Sequence, residues 1–304
     1  MTAQRLALGA MNFGTRVDEA TSFALLDRFI DAGGEWIDTA DCYSFWYDDS
    51  GLGGQSERLI GRWLAARPGV RDRVRIATKF GAEPLEPGSF PERVQGLGAA
   101  AVRSALEGSL RRLGTDHVDL AWAHMEDRST PIEETAEAMA SIVTDGLAAS
   151  VGFSNHPTWL VERARHIAPV AALQHSFSYL HPRPFEKPAG QDHRFGMLTD
   201  EHLDYARSCG LEIWAYTPLL GGAYDNPAKS VDPAFDHPAT QRRLAALTEV
   251  ADELGVARGQ VVLAWLHSRG IRPILGGSRI EQLDSAIAGV GIDLGDEWLA
   301  RLDA

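Results

Sequence analysis

The chain has little of what stabilises small secreted domains or metal modules. It has two cysteines, Cys42 and Cys209, in no CxxC spacing, which argues against a disulfide framework and a structural zinc site and leads us to expect reduced thiols. Positive charge is scarce as well: 29 Lys and Arg face 42 Asp and Glu, a formal net charge of −13. Such an acidic surface repels phosphate backbones and anionic lipid, so neither nucleic acid nor membrane is an expected partner. No apolar run approaches the roughly 18 residues of a spanning helix, and MTAQRLALGAMNFG does not read as a signal peptide, so the cytoplasm is the default address. No GxGxxG follows the first apolar run, which removes the fingerprint of an open dinucleotide-binding sheet. Ten histidines are present but none forms an HxH pair, and the acids and histidines show no metal-cage grouping, so no metal is expected.

What is present is an alternation. Short apolar runs at 5–9, 35–38, 74–78, 118–123, 149–153, 170–175, 212–217 and 271–275 are separated by longer stretches of helical period. Ala136, Met139, Ala140 and Val143 fall at i, i+3, i+4 and i+7, and Leu244, Leu247, Ala251 and Leu254 nearly so. Gly33-Gly34, Pro68-Gly69 and Gly114 punctuate the ends of the first three helices. Strands alternating with helices imply parallel pairing, because each helix returns the chain to the same edge. Eight such units in 304 residues predict a closed (β/α)8 TIM barrel, an α/β fold. With no linker or break in composition, 1–304 reads as a single domain. Its catalytic-face loops are expected at about 45–55, 177–198 and 218–239.

In a barrel, polar residues at the C-terminal ends of strands point to one mouth. That rule selects Asp38, Lys79, His124, Ser154, Asn155, Gln174 and Tyr216. Asp38 and Lys79 end neighbouring strands and can pair, and Tyr43 in the adjacent loop can lean over them. A nearby ammonium favours phenolate, so the pair is expected to lower the pKa of Tyr43 and make it a general acid–base group.

The segments EWIDTADCY with its following SERLIG, ATKFG, DLAWAH, VGFSNHP, LQHSFSY, AYTPLLGG and ILGGSRIEQLDSA occur in order along nearly the whole chain. Together they resemble the aldo-keto reductases. The resemblance implies a barrel that binds NADPH and reduces a small-molecule aldehyde or ketone by hydride transfer. It makes Tyr43 the proton donor, Asp38 and Lys79 the pair acting on it, and His124 the group that orients the carbonyl. It assigns Ser154, Asn155 and Gln174 to the nicotinamide carboxamide and Tyr216 to the face of its ring, and implies that Leu219 and Gly221 cover the pyrophosphate. Gly276, Ser278, Arg279 and Gln282 correspond to the adenosine-phosphate site, with Gly276 and Gly277 admitting close approach and Arg279 favouring NADPH over NADH. Two departures stand out: Ser285 and Ala286 replace an acidic residue and an Asn common in relatives, and Ser44 replaces a Gly after the tyrosine.

Phe45, Trp46, Tyr47, Trp122 and Tyr179 are further aromatics that could wall the pocket. Three function classes fit: an NADPH-dependent carbonyl reductase, a non-catalytic cofactor-binding regulatory or scaffold subunit of the same fold, and a barrel hydrolase using metal-bound water. The complete quartet Asp38, Tyr43, Lys79 and His124 favours the reductase. Neither the particular carbonyl substrate nor an oligomeric state is specified by these residues.

Overall fold

The computed structural model describes residues 2–183 and 197–304. Eight strands, β1 (Ala7–Gly9), β2 (Trp36–Asp38), β3 (Arg75–Phe80), β4 (Leu120–Ala123), β5 (Val151–Ser154), β6 (Val170–Ser176), β7 (Glu212–Tyr216) and β8 (Ile271–Gly276), lie in sequence order. Each pairs in parallel with the next, and β1 pairs with β8, so the sheet closes on itself. These are the runs the sequence marked, because a strand covered by helices outside and packed inside must be apolar on both faces.

The crossovers are α1 (Glu19–Asp31), α2 (Gln55–Ala65), α3 (Ala99–Leu113), α4 (Ile132–Thr144), α5 (Thr158–Arg165) and α6 (Asp200–Cys209), followed by α7 (Pro238–Leu254) and α8 (Arg258–Ser268) together. After β8 come α9 (Ile280–Gly289) and α10 (Asp296–Asp303). The periodic stretch through Leu244 and Leu254 is therefore not a whole crossover. Gly255 takes a left-handed φ of 65°, ends α7, and lets the chain start a second helix. None of the described helices is long and apolar enough to cross a membrane.

The barrel is filled from below by tryptophan. Trp214 stands 5.0 Å, ring to ring, from Trp36 and 5.5 Å from Trp122, both edge to face. Ala7, Ala77, Leu120, Ala172 and Ile274 complete this cluster. The indole N–H of Trp214 donates to Glu212 at 3.0 Å, which satisfies the polar atom such a ring carries into an interior. Three large rings in contact require small neighbours. Gly152 on β5 is one of them: a Cβ there would lie 2.5 Å from the Trp122 ring and 2.8 Å from the carbonyl oxygen of Ala172. The volume taken by the rings is the volume that β5 and β6 give up.

This close fit gives a direct expectation. Gly152→Val should lower unfolding free energy by about 2–3 kcal/mol through overpacking, read as a drop in the urea midpoint. An unchanged midpoint would show that the interior can shift around Trp122.

Candidate active site

The floor of the mouth is an ion pair. Lys79, 1% exposed on β3, donates to Asp38 Oδ2 at 2.5 Å and to the carbonyl oxygen of Thr39 at 2.8 Å. Gln174 Nε2, from β6 across the barrel, donates to Asp38 Oδ1 at 3.0 Å. Burial pushes the Asp38 carboxyl above its usual range, while Lys79 and Gln174 pull it down. Opposite charge and hydrogen bonds to both oxygens are what make such a carboxylate tolerable inside a protein.

Tyr43 is set over this pair by α2. Its carbonyl oxygen accepts from Gly54 N at 3.1 Å and Ser56 N at 3.3 Å, so the tyrosine's own backbone caps the helix start. Two residues of the SERLIG segment then tie that start to the barrel. Ser56 Oγ lies 2.8 Å from Thr39 Oγ1 and donates to the carbonyl oxygen of Ala10 at 2.8 Å. Buried Glu57 accepts from Thr78 at 2.5 Å and from Arg112 at 2.6 Å. Gly53 lies so close that a Cβ would come 2.4 Å from the Cα of Cys42.

The electrostatics at Tyr43 reverse the expectation of a lowered pKa. Burial pushes its phenol well above its ordinary value, and the buried carboxylate of Asp38 pushes the same way. Lys79 Nζ faces the ring, 4.8 Å from its centroid, and already spends its charge on Asp38. The couple as a whole is close to neutral, so it does not outweigh desolvation. His124 packs edge-on against Tyr43 with ring centres 5.7 Å apart. Burial and the Lys79 charge hold its imidazole well below its ordinary value, so it is neutral at neutral pH. Its Nδ1 lies 3.5 Å from Cys42 Sγ.

Asn155 follows β5 with a left-handed φ of 59°, a conformation its short amide tolerates. Its Nδ2 donates to the carbonyl oxygen of His124 at 3.0 Å and to Ser154 Oγ at 3.1 Å, and its Oδ1 accepts from Tyr216 at 2.7 Å. Asn155 thus spends its amide chiefly on holding β4, β5 and β7 together.

A cavity of about 1830 Å³ runs from this mouth across to the start of α9. Asp38, Tyr43, His124, Ser154, Asn155, Gln174 and Tyr216 line it at one end, with Leu219 and Gly221 on its wall and Gly276, Gly277, Ser278, Arg279 and Gln282 at the other end. Lys79 lies behind Asp38 rather than on the wall. Gln282 Oε1 accepts from Ser278 N at 3.1 Å, while the Arg279 guanidinium has no ion pair or hydrogen bond among the described residues. Ser285 and Ala286 also face the cavity.

The aromatic expectations divide. Phe45 and Trp46 line the cavity. Tyr47 is exposed beneath Arg16, Trp122 belongs to the barrel interior, and Tyr179 is buried with its hydroxyl on the carbonyl oxygen of Leu302 at 2.8 Å. The loop at 218–239 contributes as expected, and adds Lys229, whose ammonium donates to the carbonyl oxygen of Gly221. Residues 184–196 of the loop expected at 177–198 lie outside the described residues, and none of its described residues lines the cavity. Sequence reasoning missed Met11, Asn12 and Arg16 after β1, and Ala82, Phe90 and Pro91 after β3. Position alone could have found them, since every loop after a strand borders the mouth.

Removing the buried cation tests the floor. Lys79→Met should cost about 3–5 kcal/mol at neutral pH because it strands Asp38. Burial holds this carboxyl above its unfolded value, so the native state keeps a proton that the unfolded chain releases. Stability should therefore fall as pH rises through the carboxylate range and recover toward acid, measured by urea unfolding across that range. A deficit independent of pH would mean that Asp38 is not the group left unpaired.

Known proteins bear on this geometry. The family model described as Aldo/keto reductase family matches residues 5–304. An uncharacterized oxidoreductase, YrpG, of Bacillus subtilis (strain 168) is 33% identical, with 100% of this chain and 92% of that protein covered. Norsolorinic acid reductase stcV of Emericella nidulans is 32% identical, over 98% of this chain and 77% of that protein. The crystal structure of the thermostable aldo-keto reductase Tm1743 in complex with the inhibitor epalrestat superposes with a TM-score of 0.75 at 25% identity, covering 98% of this chain and 94% of that one. With the family model spanning the barrel from before β1 to the last residue of the chain, the protein belongs to the aldo/keto reductase family.

Proposed function

We propose that this oxidoreductase is an NADPH-dependent reductase of aldehydes or ketones in which Tyr43 delivers the proton. One observation carries the reading: a buried Asp38–Lys79 pair, Tyr43 and His124 converge at one end of a cavity whose other end is a helix start without a side-chain cap, bearing an arginine whose guanidinium has no partner among the described residues. The cavity is larger than the roughly 300–1,000 Å³ that one small ligand needs, which suits a dinucleotide and a substrate together.

The donor set fits a nicotinamide dinucleotide phosphate. Ser154 has a hydroxyl hydrogen to give, and Gln174, held through Nε2 by Asp38, keeps its carbonyl oxygen as an acceptor. Those are the complementary groups a carboxamide needs. Tyr216, oriented by Asn155, offers a ring face. At the far end the first-turn amides of α9, Ser278 and Arg279 provide for phosphate, and Lys229 adds a cation near Gly221. When bound, this cofactor supplies the hydride.

The chain's residues handle the proton. Because burial keeps Tyr43 protonated, it enters the reaction as the acid, and it releases its proton only as the carbonyl oxygen becomes a far stronger base. The Lys79 ammonium behind it stabilises the phenolate so formed. Burial likewise keeps the Cys42 thiol protonated, so its S–H donates to His124 Nδ1 and the imidazole hydrogen stays on Nε2, a donor for the carbonyl oxygen. Phe45, with the ring centres of Trp46 and Phe90 at 4.8 and 5.1 Å from its own, forms an apolar wall with them. That wall, and similarity to norsolorinic acid reductases, favour a bulky apolar or aromatic carbonyl. A cytoplasmic location goes with this reading.

Tyr43→Phe should reduce turnover by ~10²–10⁴-fold while NADPH binding, followed by fluorescence, stays near wild type. Turnover close to wild type would remove Tyr43 as the acid, and tight NADPH binding without turnover of any carbonyl in the parent protein would favour a non-catalytic binding subunit. Arg279→Ala should weaken NADPH by about tenfold or more, the worth of a charge-assisted contact, and NADH much less. Equal losses for both would end the phosphate role of Arg279.

A further inference from the structure

Beside the mouth, three residues that the proton chemistry does not use as a set come together. Asp41, Cys42 and His124 offer a carboxylate oxygen, a sulfur and an imidazole nitrogen, all within 4.8 Å of one another. Cys42 Sγ and His124 Nδ1 are 3.5 Å apart. Around a tetrahedral zinc, with Zn–S near 2.3 Å and Zn–N near 2.0–2.1 Å, those two atoms stand roughly 3.5 Å apart. That edge of the tetrahedron is already in place.

Asp41 supplies the independent observation. Asp41 is 3% exposed, and neither carboxylate oxygen has a side-chain hydrogen-bond partner among the described residues. A buried carboxyl left unsatisfied is costly, and here Glu57 and Glu83 add like charge while the nearby guanidinium of Arg112 is bonded to Glu57. Among the described residues no cation is bonded to Asp41. Its position is rigid, because Asp41 N donates to the carbonyl oxygen of Lys79 at 3.0 Å and His124 N to that of Phe80 at 3.0 Å.

We propose that Asp41, Cys42 and His124 form a three-ligand site for a soft divalent cation such as Zn²⁺, with the fourth coordination position open to the cavity that Cys42 and His124 line. Binding forms metal–oxygen, metal–sulfur and metal–nitrogen bonds. It breaks the S–H bond of Cys42, and the O–H bond of Asp41 where that acid is protonated, and releases those protons to solvent. The resulting thiolate and carboxylate balance the charge of the ion. Ligation through Nδ1 keeps the imidazole hydrogen on Nε2. Three protein ligands and an open position are the arrangement of zinc sites that exchange a small ligand rather than of closed structural ones.

Metal uptake decides the matter independently of any reductase activity. The full-length protein, stripped with EDTA and desalted, is equilibrated with Zn²⁺ alone for elemental analysis and with Co²⁺ alone for absorption spectroscopy. The expected result is one tightly held ion per chain and a thiolate-to-cobalt charge-transfer band. Cys42→Ala should abolish the band and weaken Zn²⁺ at least tenfold, Asp41→Asn should weaken Zn²⁺ at least tenfold with the band retained, and Cys209→Ala should change neither. Failure of the parent protein to retain Zn²⁺, retention by Cys42→Ala and Asp41→Asn as tight as in the parent, or loss of the band on Cys209→Ala would overturn the site. If Cys42→Ala does not fold by circular dichroism, the parent spectrum and Asp41→Asn decide. Because His124 also serves the proposed reduction, turnover is not the readout, and loss of that reading would leave the metal result intact.

Discussion

An ammonium and a carboxylate, both removed from water, sit where strands β2 and β3 end, and the rest of the mouth is arranged around them. Neither Asp38 nor Lys79 is tolerable there alone. Their pairing draws Gln174 across the barrel and brings a fixed charge to the face of the Tyr43 ring. Bringing Gln174 to Asp38 requires closure of the sheet, since β6 meets β2 only across the interior of a complete barrel. Stability and chemistry are therefore coupled at one point.

The interior is divided by level. Tryptophans fill the lower part and are accommodated by alanine and glycine on the neighbouring strands, whereas the upper part carries the polar side chains. The packed base excludes water from beneath the ion pair, which strengthens its interaction and also raises the cost of every unmatched charge nearby. That same dryness keeps Tyr43 and Cys42 protonated and His124 neutral.

Much of the architecture was legible because period and punctuation are local. The eight strands, the left-handed Gly114 at the end of α3 and the amphipathic face of α4 follow from residues a few positions apart. The strand-end rule likewise placed Asp38, His124, Gln174 and Tyr216 at one mouth, because a barrel makes all eight C-terminal ends converge. Other features escaped it. The direction of the Tyr43 shift depends on how desolvation compares with a pair of charges that largely cancel, which no spacing reveals. The bonds that occupy the Asn155 amide depend on β4, β5 and β7 being neighbours. The contributions of Phe90 and Pro91 depend on the path of a long loop.

By itself the order of residues determined the succession of strands and helices, the parallel closed sheet and the list of polar groups at its mouth. These follow from hydrophobic period and backbone stereochemistry, which act over a few residues. Only the tertiary structure decided which of those groups carry protons, which amides are already committed, and that Asp41 and Cys42 stand beside His124. Those properties depend on dielectric surroundings and on distances between residues as much as 136 positions apart, and they come into being when the barrel closes.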